Sequence, residues 1–547
     1  MDELYEENAV PITVEALVKC FPFPSLRGHQ LQVLADTASA LNDPEVRFII
    51  LQAPTGSGKS GIALAQARAL GSSFLLTMNK ILQEQYNADF GSFVEDLRGR
   101  SNYPCKHAKK KKGDSPPSCS PDRGIRDAAG CNAEEYDLKC EYFQAISRAK
   151  TSSIALMNFS AGLCFFNYTP LFTKRQVLII DEAHSLEDQL TSFIEFNVTN
   201  DDLLESGLLL RQEYMPDLEK ASEYLEWLKM LEMRAVSHLA DKKFRGDREK
   251  LDYIYGKLKV VVAELSPALD NFVLQKEYEG TGGASVVTAI KINPIVVSKF
   301  AHSRLFDNAE KVILMSATIG DVDIFCEALG INKNEMRFID VPSVFPKENR
   351  PVFITSTRQI THKNTPSLTP LLAREVAALM EKHSTEKGII HVPSYALANQ
   401  IMEYLPAKQQ ARIIYPKNAF EQANCLTSHA QNIRPTVILS PSMTEGLDLK
   451  DDLSRFQIIV KVPFANVFDP VVDARLKRFP RAYGQKALNR IIQACGRSVR
   501  HESDWATTYI LDGKMFELIR DYKGAIPRWF AEALSIEKTR DEKTPET

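Results

Sequence analysis

Three groups of residues in this chain have the types and spacing to do chemistry. The first is APTGSGKS, residues 53–60, which follows the apolar run Val46 to Leu51 and precedes the helical pattern GIALAQARAL. Strand, glycine-containing loop and helix is the setting in which backbone N–H groups close round phosphate oxygens. Thr55, Gly56, Ser57 and Gly58 form the cradle, Lys59 reaches the β- and γ-phosphates, and the Ser60 hydroxyl holds Mg2+. The second group is QVLIIDEAH, residues 176–184, in which a strand, Val177 to Ile180, delivers two adjacent carboxylates at its end. Asp181 suits Mg2+, directly or through water, and Glu182 suits the orientation of an attacking water. Together the two runs point to hydrolysis of a nucleoside triphosphate. The third group is Cys105, Cys119, Cys131 and Cys140, with 13, 11 and 8 residues between them. Four thiolates bind either an iron–sulfur cluster or tetrahedral zinc, and spacings without C-x-x-C do not choose between the two. Unligated surface thiols are the remaining reading.

The elements that position these groups follow from hydrophobic periodicity. A chain of 547 residues is too long for one core, so two or more domains are expected. Strand-like runs GIIHVPSY (388–395), ARIIY (411–415), VILS (437–440) and FQIIVKV (456–462) alternate with helical stretches such as SYALANQIMEYL. That alternation predicts a parallel sheet with helices on both faces, a second domain with nucleotide in the cleft between it and the first. From 190 to about 295 the strand pattern is lost. Leu218, Ala221, Leu225 and Leu228 recur at helical spacing, as do Leu251, Ile254, Leu258, Val261, Leu265, Leu269 and Phe272, which predicts two or more long amphipathic helices. GTGGAS, 280–285, then marks the return to the first domain.

Composition excludes several classes. Hydrophobic residues at 44% and charged residues at 25% describe a soluble globular chain, and a net charge of −3 confines any nucleic-acid surface to a local groove. MDELYEENAV is acidic and lacks the apolar core of a secretory signal. The stretch 153–172 is long enough to span a bilayer, but its Asn, Ser, Thr and Pro residues predict a buried strand followed by a buried helix or turn. An intracellular protein with reduced thiols or a metal site is expected. Cys20, Cys164, Cys326, Cys425 and Cys495 are scattered, and most are expected to be buried as small hydrophobes.

With these runs in order, the sequence resembles the DEAD/DEAH superfamily 2 helicases. KVILMSATI (311–319) is similar to their motif III, TVILSPSMTEGLDLKDD (436–452) to motif V with Glu445, Gly446 and Asp448, and QACGRSVR (493–500) to motif VI, QxxGRxxR. LRGHQ (26–30) resembles the Arg-x-x-Gln element that precedes the phosphate loop. LRGRSNYPC (97–105) resembles the LKGRxNYxC that opens the iron–sulfur domain of the XPD/DinG branch. HVPSY (391–395) resembles that branch's FxPSY, and VPFANVFDP (462–470) its LPFxxxxDP. The likeness runs from LRGHQ to YILDGK, nearly the whole chain.

The resemblance implies an α/β fold of two RecA-like parallel-sheet motor domains, with a small iron–sulfur insertion and a helical arch insertion in the first. The expected bounds are 1–99, 151–190 and 296–340 for the first motor domain, 100–150 for the cluster insertion, 191–295 for the arch and 341–547 for the second motor domain. It implies an ATP-dependent 5′→3′ DNA helicase using ATP, Mg2+ and a 4Fe–4S cluster, with zinc as the alternative. Arg497 and Arg500 would reach the γ-phosphate from the second domain, with Gly446, Asp448 and Gln493 in the nucleotide site and Arg27 and Gln30 at the base. Thr77 and Asn79 would contact the DNA backbone, and Lys109, Lys110, Lys111 and Lys112, otherwise a solvated loop, would track phosphates. The implied partners are single-stranded DNA and forked or tailed duplexes, with no membrane and a monomeric motor. The expected compartment is the cytoplasm of a bacterium, archaeon or phage-infected cell, or a eukaryotic nucleus. Rival readings are a DNA-stimulated ATPase that remodels protein–DNA complexes, an RNA helicase, and a zinc-stabilised scaffold with a dead ATPase. The intact Lys59, Asp181, Glu182 and Arg497 argue against the last.

Overall fold

The computed structural model describes residues 11–104, 140–210, 213–279, 285–416, 419–441, 449 and 451–536. Cys105, Cys119, Cys131, Lys109 to Lys112, Glu445, Gly446 and Asp448 lie outside the described residues.

The apolar run before the phosphate loop forms β1 (Phe48–Gln52), buried along its whole length. Phe48 and Ile50 enter one core and Ile49 and Leu51 another, because successive side chains of a strand point to opposite faces. β2 (Ser73–Thr77), β3 (Glu95–Asp96), β4 (Ile154–Asn158) and β5 (Arg175–Asp181) follow. An inserted segment carries β6 (Phe196–Thr199), β7 (Phe272–Glu279) and β8 (Val286–Pro294), after which β9 (Ala309–Ser316) and β10 (Met336–Asp340) rejoin the first sheet. Among the described residues that sheet is parallel and ordered β10-β1-β9-β5-β2-β4-β3. β1, β9 and β5 are neighbours, so the phosphate loop, Ser316-Ala317-Thr318 and the two carboxylates emerge side by side at its carboxyl edge.

Residues 341–351 cross to a second parallel sheet. It consists of β11 (Val352–Ile354), β12 (Gly388–His391), β13 (Ile413–Ile414), β14 (Val437–Ser440), β15 (Phe456–Ile459), β16 (Thr507–Ile510) and β17 (Leu534–Ile536). Their order is β13-β14-β12-β15-β16-β11-β17. Two helix-flanked parallel sheets are the expected α/β architecture. The stretch 153–172 is β4 followed by the helix Phe159–Tyr168, started by Asn158, whose side chain accepts from Ala161 N. Among the described residues, no helix is long and apolar enough to cross a membrane.

Four local expectations need correction. The segment after the carboxylates does hold two long helices, Ala221–Ala240 and Arg248–Leu265, but also an antiparallel sheet ordered β6-β8-β7. Its strands escaped notice because β7, FVLQKEYE, is half-exposed and polar, so it lacks the apolar run of a buried strand. Leu269 and Phe272 continue the helical spacing past the helix end, in a short 3-10 turn and in β7. Residues 280–284 of GTGGAS lie outside the described residues, and the strands on either side pair with each other, Glu279 with Val286, so the return to the first sheet comes later, at β9. The helix Glu141–Thr151 falls within the stretch assigned to the cysteine insertion, yet it buries Tyr142, Phe143, Ala145, Ile146 and Ala149 in the first domain's core. Of the scattered cysteines, Cys326, Cys425 and Cys495 are buried, Cys20 is half-buried and Cys164 is exposed.

Candidate active site

The phosphate loop turns on two glycines in left-handed conformation, Gly56 at φ +81° and Gly58 at φ +83°. A Cβ on Gly58 would lie 2.2 Å from Gln30 Nε2, and one on Gly56 would lie 2.1 Å from the Phe345 ring, so both positions require glycine on two counts. Gln30 donates from Nε2 to Ser57 O at 3.0 Å and accepts from Arg27 N at 2.8 Å. Both ends of its side chain are thus spent on backbone, which makes it a prop under the loop. Lys59, the first residue of the helix Lys59–Leu70, folds its Nζ back onto Ala53 O at 3.1 Å. Beside the loop is a cavity of about 490 Å³, walled by Arg27, Gln30, Gly56 and Ser57 from the first domain, Phe345 from the link, and Arg500 from the second domain.

Asp181 ends β5 and is 3% exposed. Its Oδ1 accepts from Glu182 N at 2.9 Å and its Oδ2 from the Tyr86 hydroxyl at 2.8 Å. Glu182 is held in left-handed backbone, φ +56°, a strained conformation for a residue with a Cβ. His184 Nδ1 stands 2.9 Å from Ser316 Oγ and 3.2 Å from Glu182 Oε2, joining the end of β9 to the two acids. Burial, reinforced by the Glu182 charge and opposed by Lys59, pushes the Asp181 carboxyl up. Burial also works against the Glu182 charge, but His184, Lys59 and Arg497 outweigh it and hold that carboxyl down. Burial and the charge of Asp181 push the Tyr86 phenol well above its ordinary value, so it remains a donor.

The donor set fits Mg2+. Ser60 and Asp181 offer hydroxyl and carboxylate oxygens, the hard ligands that ion takes. Each Asp181 oxygen keeps a lone pair beyond its hydrogen bond. Its buried charge is also what a divalent cation would neutralise.

The second domain delivers its part from the helix Pro480–Cys495 and the turn after it. Gln493 Nε2 donates to Thr318 Oγ1 at 2.9 Å, Asn489 Nδ2 to Ile319 O at 3.4 Å, and Gln485 and Asn489 press on Gly320, which adopts φ +80°. These helix residues recur every four positions and so form one stripe facing the end of β9. Gln52 holds the other side, accepting from Ile319 N and Gly320 N. The charge of Arg497 is felt by both Glu182 and His391, which sets it between the two domains' strand ends. Arg500 lines the cavity by the phosphate loop, and its N–H donates to Asp504 Oδ2 at 3.0 Å.

At the positions expected to contact a DNA strand, Thr77 is fully buried and its hydroxyl donates to Asn79 O at 3.2 Å. Its side chain therefore shapes the turn, while half-exposed Asn79 and exposed Lys80 form the surface there. Cys140, half-buried, stands at the start of the helix Glu141–Thr151. Tyr86, Gln52, Gln485 and Asn489 were not anticipated. An aromatic at helical spacing reads as core, and lone amides carry no motif, so no signal short of the folded contacts picks them out.

Two parallel α/β domains that share one phosphate-binding cleft define a RecA-like nucleoside-triphosphatase motor. The family described as "Helicase C-terminal domain" matches residues 377–533, and "Type III restriction enzyme, res subunit" matches 23–207. The chain is 21% identical to the ATP-dependent DNA helicase YoaA of Haemophilus influenzae, over 91% of this chain and 92% of that one. It is 25% identical to the ATP-dependent DNA helicase DinG of Photobacterium profundum, over 41% and 35% of the two chains. Among solved structures it superposes on an XPD helicase with a TM-score of 0.59 at 14% identity, covering 94% of this chain and all of that one. On Xpd4 of S. tokodaii the TM-score is 0.57 at 13% identity, covering 93% of this chain and all of that one. In sequence and fold the chain is similar to the XPD/DinG type of superfamily 2 helicases, ATP-hydrolysing enzymes that use nucleotide with Mg2+.

Proposed function

We propose that the protein is an ATP-dependent DNA helicase that binds single-stranded DNA, moves 5′→3′ along it and opens forked or tailed duplexes as a monomeric intracellular motor. The observation that carries this reading is one nucleotide site divided between two domains. Lys59, Asp181 and Glu182 stand on one side, Arg497 and Arg500 on the other, and the Gln493–Thr318 hydrogen bond joins them. A site built that way converts hydrolysis into relative motion of the domains. Relatives named as DNA helicases support DNA as the track.

When bound, Mg2+ held by Ser60 and Asp181 neutralises charge on the terminal phosphates. Lys59 exchanges the Ala53 carbonyl for phosphate oxygens. Glu182, kept ionised by His184 and Arg497, orients the attacking water. Arg497 and Arg500 stabilise charge that develops as the terminal bond breaks. Gly446, Asp448 and Gln493 complete the nucleotide site, and Arg27 lies toward the base. Asn79 and Lys109 to Lys112 contact the strand's phosphates. Cys105, Cys119, Cys131 and Cys140 hold a 4Fe–4S cluster, a ligand set that zinc would also accept.

The test is unwinding by anaerobically purified protein of duplexes with a 5′ or a 3′ single-stranded tail. ATP-dependent opening of the 5′-tailed duplex alone is expected. Preference for the 3′ tail overturns the polarity. No opening, with ATP hydrolysis still stimulated by DNA, replaces the helicase with a remodelling translocase.

A further inference from the structure

The Tyr86 side chain is 1% exposed, and its ring packs against Phe90. A phenylalanine would fill the same volume without burying a hydroxyl, which costs free energy unless it is hydrogen-bonded. The hydroxyl is bonded to an unusual partner. It donates to Asp181 Oδ2 at 2.8 Å. Asp181 is one of the two residues whose oxygens suit Mg2+, and Tyr86 holds one of its carboxylate oxygens in place.

Tyr86 belongs to the helix Lys80–Phe90, whose first turn is the proposed strand-contact corner. Asn79 caps that helix, its Oδ1 accepting from Leu82 N at 2.9 Å, and Thr77 donates to Asn79 O. Gln83, one turn on, is fully buried and bonded to Asp96, Leu97 O and Asn158, so the helix is fixed laterally. Two turns of helix therefore separate Asn79 at the surface from the hydroxyl on Asp181. A pinned helix transmits a displacement of its exposed end to its buried one, because close-packed interiors do not absorb small shifts.

We propose that Tyr86 is a positioning residue that fixes Asp181 as a magnesium ligand and ties it to the strand-contact corner, so that DNA bound at Asn79 is felt at the metal. The coupling rests on the DNA-binding reading above; the positioning of Asp181 does not.

The test is Tyr86→Phe, which removes the hydroxyl and keeps the ring, with Mn2+ as a spectroscopic probe. Mn2+ binding in the presence of ADP is measured by electron paramagnetic resonance, with and without an oligothymidylate. Without DNA, the variant is expected to bind Mn2+ about 10-fold more weakly, the usual effect of removing a group that orients a metal ligand. Unchanged Mn2+ affinity overturns the proposal. The wild type is expected to change its Mn2+ affinity when oligothymidylate is added, and the variant to lose most of that change. Weaker Mn2+ with an undiminished oligothymidylate response overturns the coupling. If wild-type protein binds no oligothymidylate by fluorescence anisotropy, the DNA reading fails, and the comparison without DNA still judges Tyr86. Should Tyr86→Phe not fold, Asn79→Ala at the other end of the helix takes its place, and an undiminished oligothymidylate response then overturns the coupling.

Discussion

Gln493 and Thr318 meet across the cleft between the two sheets, the glutamine amide donating to the threonine hydroxyl at 2.9 Å although 175 residues separate them. The contact ties the helix that leads to Arg497 directly to the end of the strand beside the phosphate loop. Either Thr318→Ala or Gln493→Ala is expected to lower kcat for ATP about 10-fold, with KM changed less. The double variant should be little worse than either single one, because partners in one contact are not additive. Steady-state hydrolysis with saturating DNA checks this, and additive losses would separate the two residues.

Glu182, the proposed water-orienting residue, sits in strained backbone, with its charge favoured by His184, Lys59 and Arg497. Glu182→Gln should cut kcat by about 100- to 10,000-fold, the range for loss of a general base, while ATP still binds. Lys59→Ala should lose both hydrolysis and ATP affinity. Equilibrium binding of a fluorescent ATP analogue, set beside turnover, distinguishes the two phenotypes.

His391 ends β12 and is 2% exposed. Burial first, and the charge of Arg497 second, lower its pKa to about 4. Since the unfolded value is about 6.5, the unfolded chain takes up this proton first as pH falls. The stability due to the neutral ring is complete above about pH 6.5 and is lost as pH falls toward 4. At pH 5 the loss is about 1–2 kcal/mol. His391→Phe, which restores the residue of the FxPSY pattern, should flatten this part of the pH profile. Urea midpoints at pH 7 and pH 5 for both proteins are the measurement, and equal slopes would refute the assignment.

Arg475 reaches from the second domain to the base of the insertion. Its Nε donates to Ile295 O at 2.7 Å and its Nη2 to Thr191 Oγ1 at 2.9 Å. Nearby, Lys486 pairs with Glu187 and Asp188, both at 2.9 Å. Arg475→Ala should loosen the domains in nucleotide-free protein, read as a larger radius of gyration by small-angle scattering. A non-hydrolysable ATP analogue should reverse most of the increase, because the phosphates add a separate bridge.

Part of each sheet was legible because strands such as β1, β12, β14 and β15 are apolar runs buried on two faces, and VILS matches β14 residue for residue. The phosphate loop and the acid pair were legible because their chemistry demands particular side chains in sequence order. What escaped was of two kinds. β7 is half-exposed and reads as polar, and β2 lay unremarked beside the more conspicuous Thr77 and Asn79. Gln52, Asn489 and Tyr86 matter through partners far away in sequence, Tyr86 and Asp181 being 95 residues apart. A one-dimensional pattern holds no record of such pairs, whereas Lys59 and Ser60 announce themselves within one turn of each other.

The pairing of Phe196 with Ile292 means that the chain leaves the first domain and returns to it at almost the same point. Between those residues lies a core of its own, with Leu228, Leu231, Leu258 and Ile290 fully buried. Such a segment is a cassette. Excised, with its stumps spliced by a short turn, it is expected to leave β5 and β9 paired while opening the first domain's core where Val260 enters it. In hydrogen exchange it should open as a block, on its own clock, while the sheet that carries the acids stays closed.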